Sequence, residues 1–321
     1  LNKYNRKIIY MKTGIFLSYK GLGANLLHLS YCHEIAKKYG PVTIITLCKN
    51  LEQALSDDPL IKEIIFLDKY HKKLIDVFKL SRFLKNLNLE NIFIFYPSFR
   101  YLFSSKIAGI KNIKSYSIFK KKNLHLINAA KKFTEQSLNI QNCPTETFVY
   151  IDPLKKINLT NKINKTKKNI VLVVGSSGPT TRWGAENFIS LIKKLNKKDD
   201  YFFYLLCGSN EKEIAGKILT QVGKESCLSL DNKNISEIIP LISLCDMYIG
   251  NDSFGHHVAA QCAIPSFIII LDTPKAYTDY SKNQFRILPD NVDENHISHE
   301  SNITPNEITI DMVLKKIQKS I

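Results

Sequence analysis

Three stretches of this 321-residue chain combine glycine, hydroxyl, cationic and imidazole side chains in ways that can meet a charged ligand. The first is Lys20-Gly21-Leu22-Gly23-Ala24-Asn25-Leu26-Leu27-His28. Glycine there lets backbone N–H groups approach a ligand, and the helix start that follows favours negative charge. The dinucleotide fingerprint is not met, because position 26 is Leu, and no Gly-Lys-Ser/Thr completes a P-loop. Taken alone, this stretch reads equally well as a tight turn. The second runs from Val174 to Glu186 and holds Gly175, Ser176, Ser177, Gly178, Thr180, Thr181, Arg182 and the single Trp, Trp183. Amides, hydroxyls and a guanidinium are the donors a diphosphate requires. The plainer alternative is an N-cap with a Trp anchoring the helix. The third is Gly250-Asn251-Asp252-Ser253-Phe254-Gly255-His256-His257, in which Asp252 could be a helix N-cap and one histidine a buried, hydrogen-bonded ring. Adjacent histidines face different directions on a helix, so the spacing argues against a metal pair.

The elements that must position these residues alternate. Short apolar runs such as Thr13 to Ser18, Val42 to Leu47, Ile64 to Leu67 and Ile92 to Tyr96 read as strands. A helix is expected from about Asn25 to Tyr39. The second half repeats the pattern. Strands are expected at Ile170 to Val174, Phe202 to Leu206, Cys227 to Leu230, Met247 to Ile249 and Ser266 to Leu271. Helices are expected between them, and a closing one from about Ile310 to Ser320. Alternation of this kind implies βαβ units and parallel sheets, whose ligands sit beyond the carboxyl ends of the strands. The expected fold class is α/β: two doubly wound Rossmann-like domains with a cleft between them. The polar, Lys- and Asn-rich run at 156–168 marks the boundary. It separates a domain over 1–155 from one over 169–308, with a closing helix over 309–321.

Lys and Arg number 45 against 29 Asp and Glu, a net charge of +16, and 44% of residues are hydrophobic. That apolar content excludes a disordered chain. The charge suits an anionic partner, yet only five of the 45 cations are Arg, the better phosphate fork. A Lys-rich bias spread over solvated faces accounts for it as well. No nucleic-acid module is recognisable, so nucleic acid is not an expected partner. Seven scattered cysteines without a C-x-x-C pair read as reduced core residues. Met11 reads as the natural start, and the cytoplasm as the compartment.

Taken in order, the three turns resemble glycosyltransferase family 9, the heptosyltransferase type of bacterial lipopolysaccharide synthesis. The matching pieces are Gly21-Leu22-Gly23 before a Leu-rich helix, Gly175 to Trp183, Leu205-Leu206-Cys207-Gly208 with Glu211 after it, and Asn251-Asp252-Ser253 with His257-Val258-Ala259-Ala260. The resemblance implies a GT-B architecture and inverting transfer of a heptose-like sugar from a nucleotide diphosphate, an ADP-sugar in the best-known members. No metal or other cofactor is implied. Ser176, Thr180, Thr181, Arg182, Gly208, Glu211, Asp252, Ser253, Gly255 and His257 would bind the donor. Gly21, Gly23, Arg100, Lys120, Lys121 and Lys122 would lie on the acceptor side, facing an anionic glycolipid or glycan. Peripheral contact with the cytoplasmic face of the inner membrane follows from the same picture.

The sequence departs from the family at three points. The family's first turn carries an Asp regarded as the base, and Ala24 stands there; Thr181 stands where a Lys is usual; Phe254 follows Asp252-Ser253 where Gly is usual, with Gly255 one place later. His28, four residues beyond Ala24, is the substitute base expected from a shared helix face, with Asn25 beside it. The alternative is a catalytically silent nucleotide-sugar-binding protein of the same fold.

Overall fold

The computed structural model describes residues 11–69, 73, 75–116, 126–176, 178–208 and 211–320. By its contacts the chain divides into two units. Unit 1 takes the described residues up to Lys20 and His28–Pro144, and unit 2 takes Gly21–Leu27 and the described residues from Thr145 onward.

Unit 1 is built on β1 (Thr13–Leu17), β2 (Val42–Thr46), β3 (Ile61–Phe66), β4 (Asn91–Ile94) and β5 (Asn112–Ser115). All pair in parallel, in the order β3-β2-β1-β4-β5. β1, β2 and β4 are buried on both faces, which is why their sequences are nearly unbroken apolar runs. Between them lie α2 (Leu29–Tyr39), α3 (Leu51–Leu55), α4 (Asp76–Asn86) and α5 (Phe99–Ile107), with α6 (Leu126–Leu138) after β5. Phe16, Ile45, Leu80, Leu84, Ile92 and Ile94 form the core between β-sheet and helices.

The chain between β1 and α2 departs from expectation. The single helix from Asn25 to Tyr39 is two helices, α1 (Leu22–Leu26) in unit 2 and α2 in unit 1, with Leu27 closing the first and His28 opening the second. Two contacts hold α1 in unit 2. The Gln261 side-chain amide donates to the Leu26 carbonyl at 2.8 Å, and Gly23 packs against His257.

Unit 2 continues with α7 (Pro153–Thr160), β6 (Lys168–Val173), α8 (Ala185–Leu195), β7 (Tyr201–Leu206), α9 (Lys212–Val222) and β8 (Cys227–Ser229). It closes with α10 (Ile235–Ile242), β9 (Met247–Asn251), α11 (Phe254–Gln261), β10 (Ser266–Ile269), β11 (Gln284–Ile287) and α12 (Ile310–Ser320). Its strands are again parallel, ordered β11-β10-β9-β6-β7-β8. The sheet order reverses at β6 and β9, so the turns after these neighbouring strands flank a topological switch point. The stretch expected as a linker over 156–168 begins inside α7, where Asp152 caps the helix by accepting from the Leu154 N–H and Pro153 sets its first turn. The change of unit falls at Pro144 and Thr145 instead of 155. All seven cysteines are free, and all but Cys262 are buried. No helix among the described residues is long and apolar enough to cross a membrane.

Candidate functional site

The turns that follow β6, β7 and β9 are tied together by side chains in unit 2. Asn251, wholly buried at the end of β9, accepts from the Trp183 N–H at 3.0 Å and donates to the Val174 carbonyl at 2.9 Å. It thereby fixes both ends of the 174–183 turn to the neighbouring strand. Trp183 is also wholly buried, and its indole N–H donates to the Ile308 carbonyl at 2.8 Å. The Trp is therefore an anchor for the turn. Inside the turn the hydroxyls bond to one another: Thr181 Oγ1 donates to Ser176 Oγ at 2.8 Å, and Ser176 Oγ donates to the Gly178 carbonyl at 2.6 Å. Thr180 is exposed.

Arg182 leaves this turn and meets Glu211, its Nη2 2.6 Å from Glu211 Oε1. Glu211 Oε2 accepts from the Gly208 N–H at 2.9 Å. The carboxylate is nearly buried and the guanidinium is about a quarter exposed, so Glu211 aims a cation that still reaches solvent. Space for Glu211 exists because two residues lack a side chain: a Cβ on Gly208 would lie 2.8 Å from its Oε2, and one on Gly175 3.2 Å.

The third turn is the most tightly specified. Ser253 caps α11, its Oγ accepting from the Gly255 N–H at 3.1 Å. Gly255 is needed for packing, since a Cβ there would meet Tyr248, Leu206 and Val173 at 3.0–3.2 Å. Asp252 Oδ1 lies 2.6 Å from His256 Nε2, and its Oδ2 accepts from Thr273 Oγ1 at 3.2 Å. The tautomer of His256 follows from its other neighbour. The Gln284 side-chain oxygen accepts from the Tyr280 and Ser281 N–H groups, both at 3.1 Å, so its amide nitrogen must be the end that donates to His256 Nδ1 at 3.0 Å. Nδ1 is therefore the acceptor, and Nε2 carries the proton given to Asp252. His257 turns elsewhere: its Nδ1 is 2.7 Å from the Tyr280 hydroxyl, and its Nε2 edge faces Gly23, where a Cβ would lie 2.9 Å away.

Asp252, His256 and His257 each offer a ligand atom within 4.8 Å of the others. Here both His256 nitrogens are in hydrogen bonds, one giving its proton to Asp252 and the other accepting from Gln284. The order in the cluster comes from hydrogen bonds.

The residues expected on the acceptor side separate. Gly21 and Gly23 belong to unit 2, and Asn25, itself buried there, donates to the Gly21 carbonyl at 2.7 Å. Arg100 is on α5 of unit 1, and Lys120, Lys121 and Lys122 lie outside the described residues. His28 is in unit 1, at the N-cap of α2, with a helical backbone conformation. It is wholly buried, stacked on Tyr19 at 4.7 Å with Phe95 and Tyr31 against its edges. The ring lies among aromatic neighbours. Gln284, Tyr280, Thr273 and Asn251 shape the site without having been singled out as site residues. Only Asn251 lay within a motif; the others lie 16 or more residues beyond α11's first turn, where spacing carries no signal.

Two parallel Rossmann-like sheets in series, with a donor-rich turn set at one switch point, are the arrangement of a GT-B-like fold. The family model of glycosyltransferase family 9 (heptosyltransferase) matches residues 99–303, and the chain belongs to that family. Among solved structures, the chain is similar to the Escherichia coli ADP-heptose lipopolysaccharide heptosyltransferase II, with a TM-score of 0.75 and 18% identity over 97% of this chain and 98% of that one. It is similarly close to a family 9 glycosyl transferase of Veillonella parvula, with a TM-score of 0.76 and 17% identity over 97% of both chains. A more distant likeness is to TibC of enterotoxigenic E. coli, an iron-containing dodecameric heptosyltransferase, with a TM-score of 0.57 and 11% identity over 97% of this chain and 77% of that one. At these identities the likeness is one of fold. No curated protein matches the chain in sequence.

Proposed function

We propose that the protein transfers a heptose-like sugar, with inversion, from a nucleotide diphosphate donor to a lipopolysaccharide core or another cell-surface glycan at the cytoplasmic face of the inner membrane. The donor is an ADP-sugar, a reading supported by the ADP-heptose in the name of a structural neighbour. The observation that carries the proposal is the convergence in unit 2 of Arg182, held by Glu211, with the capped start of α11 and its Asp252–His256 pair. In transfer, an acceptor oxygen passes its proton to a general base or to solvent water and bonds to the anomeric carbon, while the bond from that carbon to the diphosphate oxygen breaks. Negative charge then grows on the leaving diphosphate. Arg182, the positive end of α11 and His257 Nε2 are the groups that would meet it, so no metal is required. Thr180, Thr181 and Ser176 would line the facing turn. Asp252 would serve through its position, held by His256 and Thr273.

A second reading rests on Ala24 and on the enclosure of His28: a nucleotide-sugar-binding protein that turns nothing over. Calorimetry with nucleoside diphosphates tests the donor site. An assay for release of diphosphate from the ADP-sugar in the presence of acceptor glycan then separates enzyme from silent binder. Binding without release under any acceptor would end the enzymatic reading.

A further inference from the structure

Two helices of unit 1 turn apolar side chains outward. On α4, Phe78 is 65% exposed, and Ile75 at its N-cap is 64% exposed. On α5, Phe99, Phe103 and Ile107 are 61%, 42% and 42% exposed. α4 buries Val77, Leu80, Ser81 and Leu84, so Phe78 belongs to its opposite face. On α5 the outward residues recur at i, i+4 and i+8, which makes one stripe. Phe99 and Phe103 stack along it with centroids 5.4 Å apart. The two helices pack on each other, Ser104 Oγ of α5 donating to the Val77 carbonyl of α4 at 3.1 Å.

The polar residues around the stripes have one sign. Lys79, Arg82, Lys85 and Lys106 are exposed, and Arg100 is half-buried. The single carboxylate on either helix, Asp76, is buried and accepts from the Lys73 N–H at 2.8 Å. Aromatic and aliphatic side chains bordered by cations, with no exposed acid, fit the boundary between headgroups and acyl chains of an anionic bilayer. A second copy of this chain fits worse, because a self-complementary contact would set one basic border against another. We propose that the α4–α5 face docks the protein onto an anionic lipid bilayer. The proposal is independent of the donor site, since none of these residues lies in unit 2.

The test is co-sedimentation of the full chain with phosphatidylcholine vesicles, with and without phosphatidylglycerol. The protein should pellet with the anionic vesicles, less so as salt is raised, and only weakly with the neutral ones. Two double variants at exposed positions, Phe78→Ser with Phe103→Ser and Arg82→Glu with Lys85→Glu, should each lower the partition coefficient about tenfold or more. Melting temperature, followed by circular dichroism, should stay close to that of the wild type and so report an intact fold. The proposal is overturned if the wild type stays in the supernatant with anionic vesicles, or if both variants pellet as it does. It is equally overturned if the lipid-free protein sediments as a dimer that the Phe variant dissociates.

Discussion

His256 donates its Nε2 proton to Asp252 Oδ1 across 2.6 Å, and Gln284 on a different strand decides that this nitrogen holds it. A carboxylate at the start of α11 thus has its direction set by a residue on β11, the edge of the sheet. The order of this turn depends on a contact from the edge of the sheet.

Removing the imidazole should expose that dependence. His256→Ala leaves the Gln284 amide and one Asp252 oxygen without their buried partner, and should lower unfolding free energy by about 1–3 kcal/mol. Denaturant titration reads this. Nucleoside diphosphate affinity should fall as well, because Asp252 then keeps only Thr273 to orient it. Unchanged stability and affinity together would show that the pair has no positioning role.

The contact of Gly23 with His257 yields a paired experiment. A Cβ on Gly23 would lie 2.8 Å from His257 Cδ2, whereas one on Gly21 meets nothing within 4 Å. Gly23→Ala should displace the imidazole or α1, costing about 1–3 kcal/mol and weakening donor binding. Gly21→Ala should leave donor binding near wild type. The two affinities, measured side by side by calorimetry, should therefore differ; equal values would remove His257 from the donor site.

Glu211 supplies the test of how the cation is held. Glu211→Gln keeps the shape but not the charge, and Arg182 should lose its aim while its charge remains. Because Arg182 is partly solvated, stability should fall by only about 1 kcal/mol, while affinity for a nucleoside diphosphate should fall about tenfold. Arg182→Lys should not restore the contact, since an ammonium lacks the planar fork.

Alkaline pH should weaken the fold through its thiols. Burial pushes Cys207, Cys227 and Cys262 up to about 11 and Cys143 up to about 12, from an ordinary value of 9.0. Each is raised on folding, so its contribution is complete below pH 9.0 and is lost as pH rises through about 11, or about 12 for Cys143. Melting temperature should drop over that window more than in a variant with Cys207 and Cys227 changed to Ser. Labelling of the native protein by a thiol reagent at neutral pH should be slow.

Much of the fold was legible because parallel strands buried on two faces must be apolar throughout. Val42–Thr46, Tyr201–Leu206 and Met247–Asn251 stand close to where their β-branched and aromatic runs place them. The edge strands β5 and β11 escaped notice for the same reason: Asn112–Ser115 and Gln284–Ile287 are half-exposed and need no apolar run. The interruption at Leu27–His28 carries no glycine or proline, and the Gln261 amide that bonds the neighbouring Leu26 carbonyl lies 235 residues away. In the site, the motif residues Arg182, Asp252 and His257 were readable as types in a turn. Glu211 was readable in the same way, but the pairings of Arg182 with Glu211, Asp252 with His256 and His257 with Tyr280 acquire meaning only once the strands are adjacent.

The central claim is that the turns after β6, β7 and β9 hold the diphosphate of a nucleotide sugar. Calorimetric titration of the full chain with ADP, UDP and GDP and their sugars tests it most directly, with Arg182→Ala and His257→Ala run in parallel. Saturable binding of at least one of these ligands is expected, ADP or its sugar foremost, weakened at least tenfold in each variant. Absence of binding by every ligand, or binding that both variants retain in full, would contradict the account.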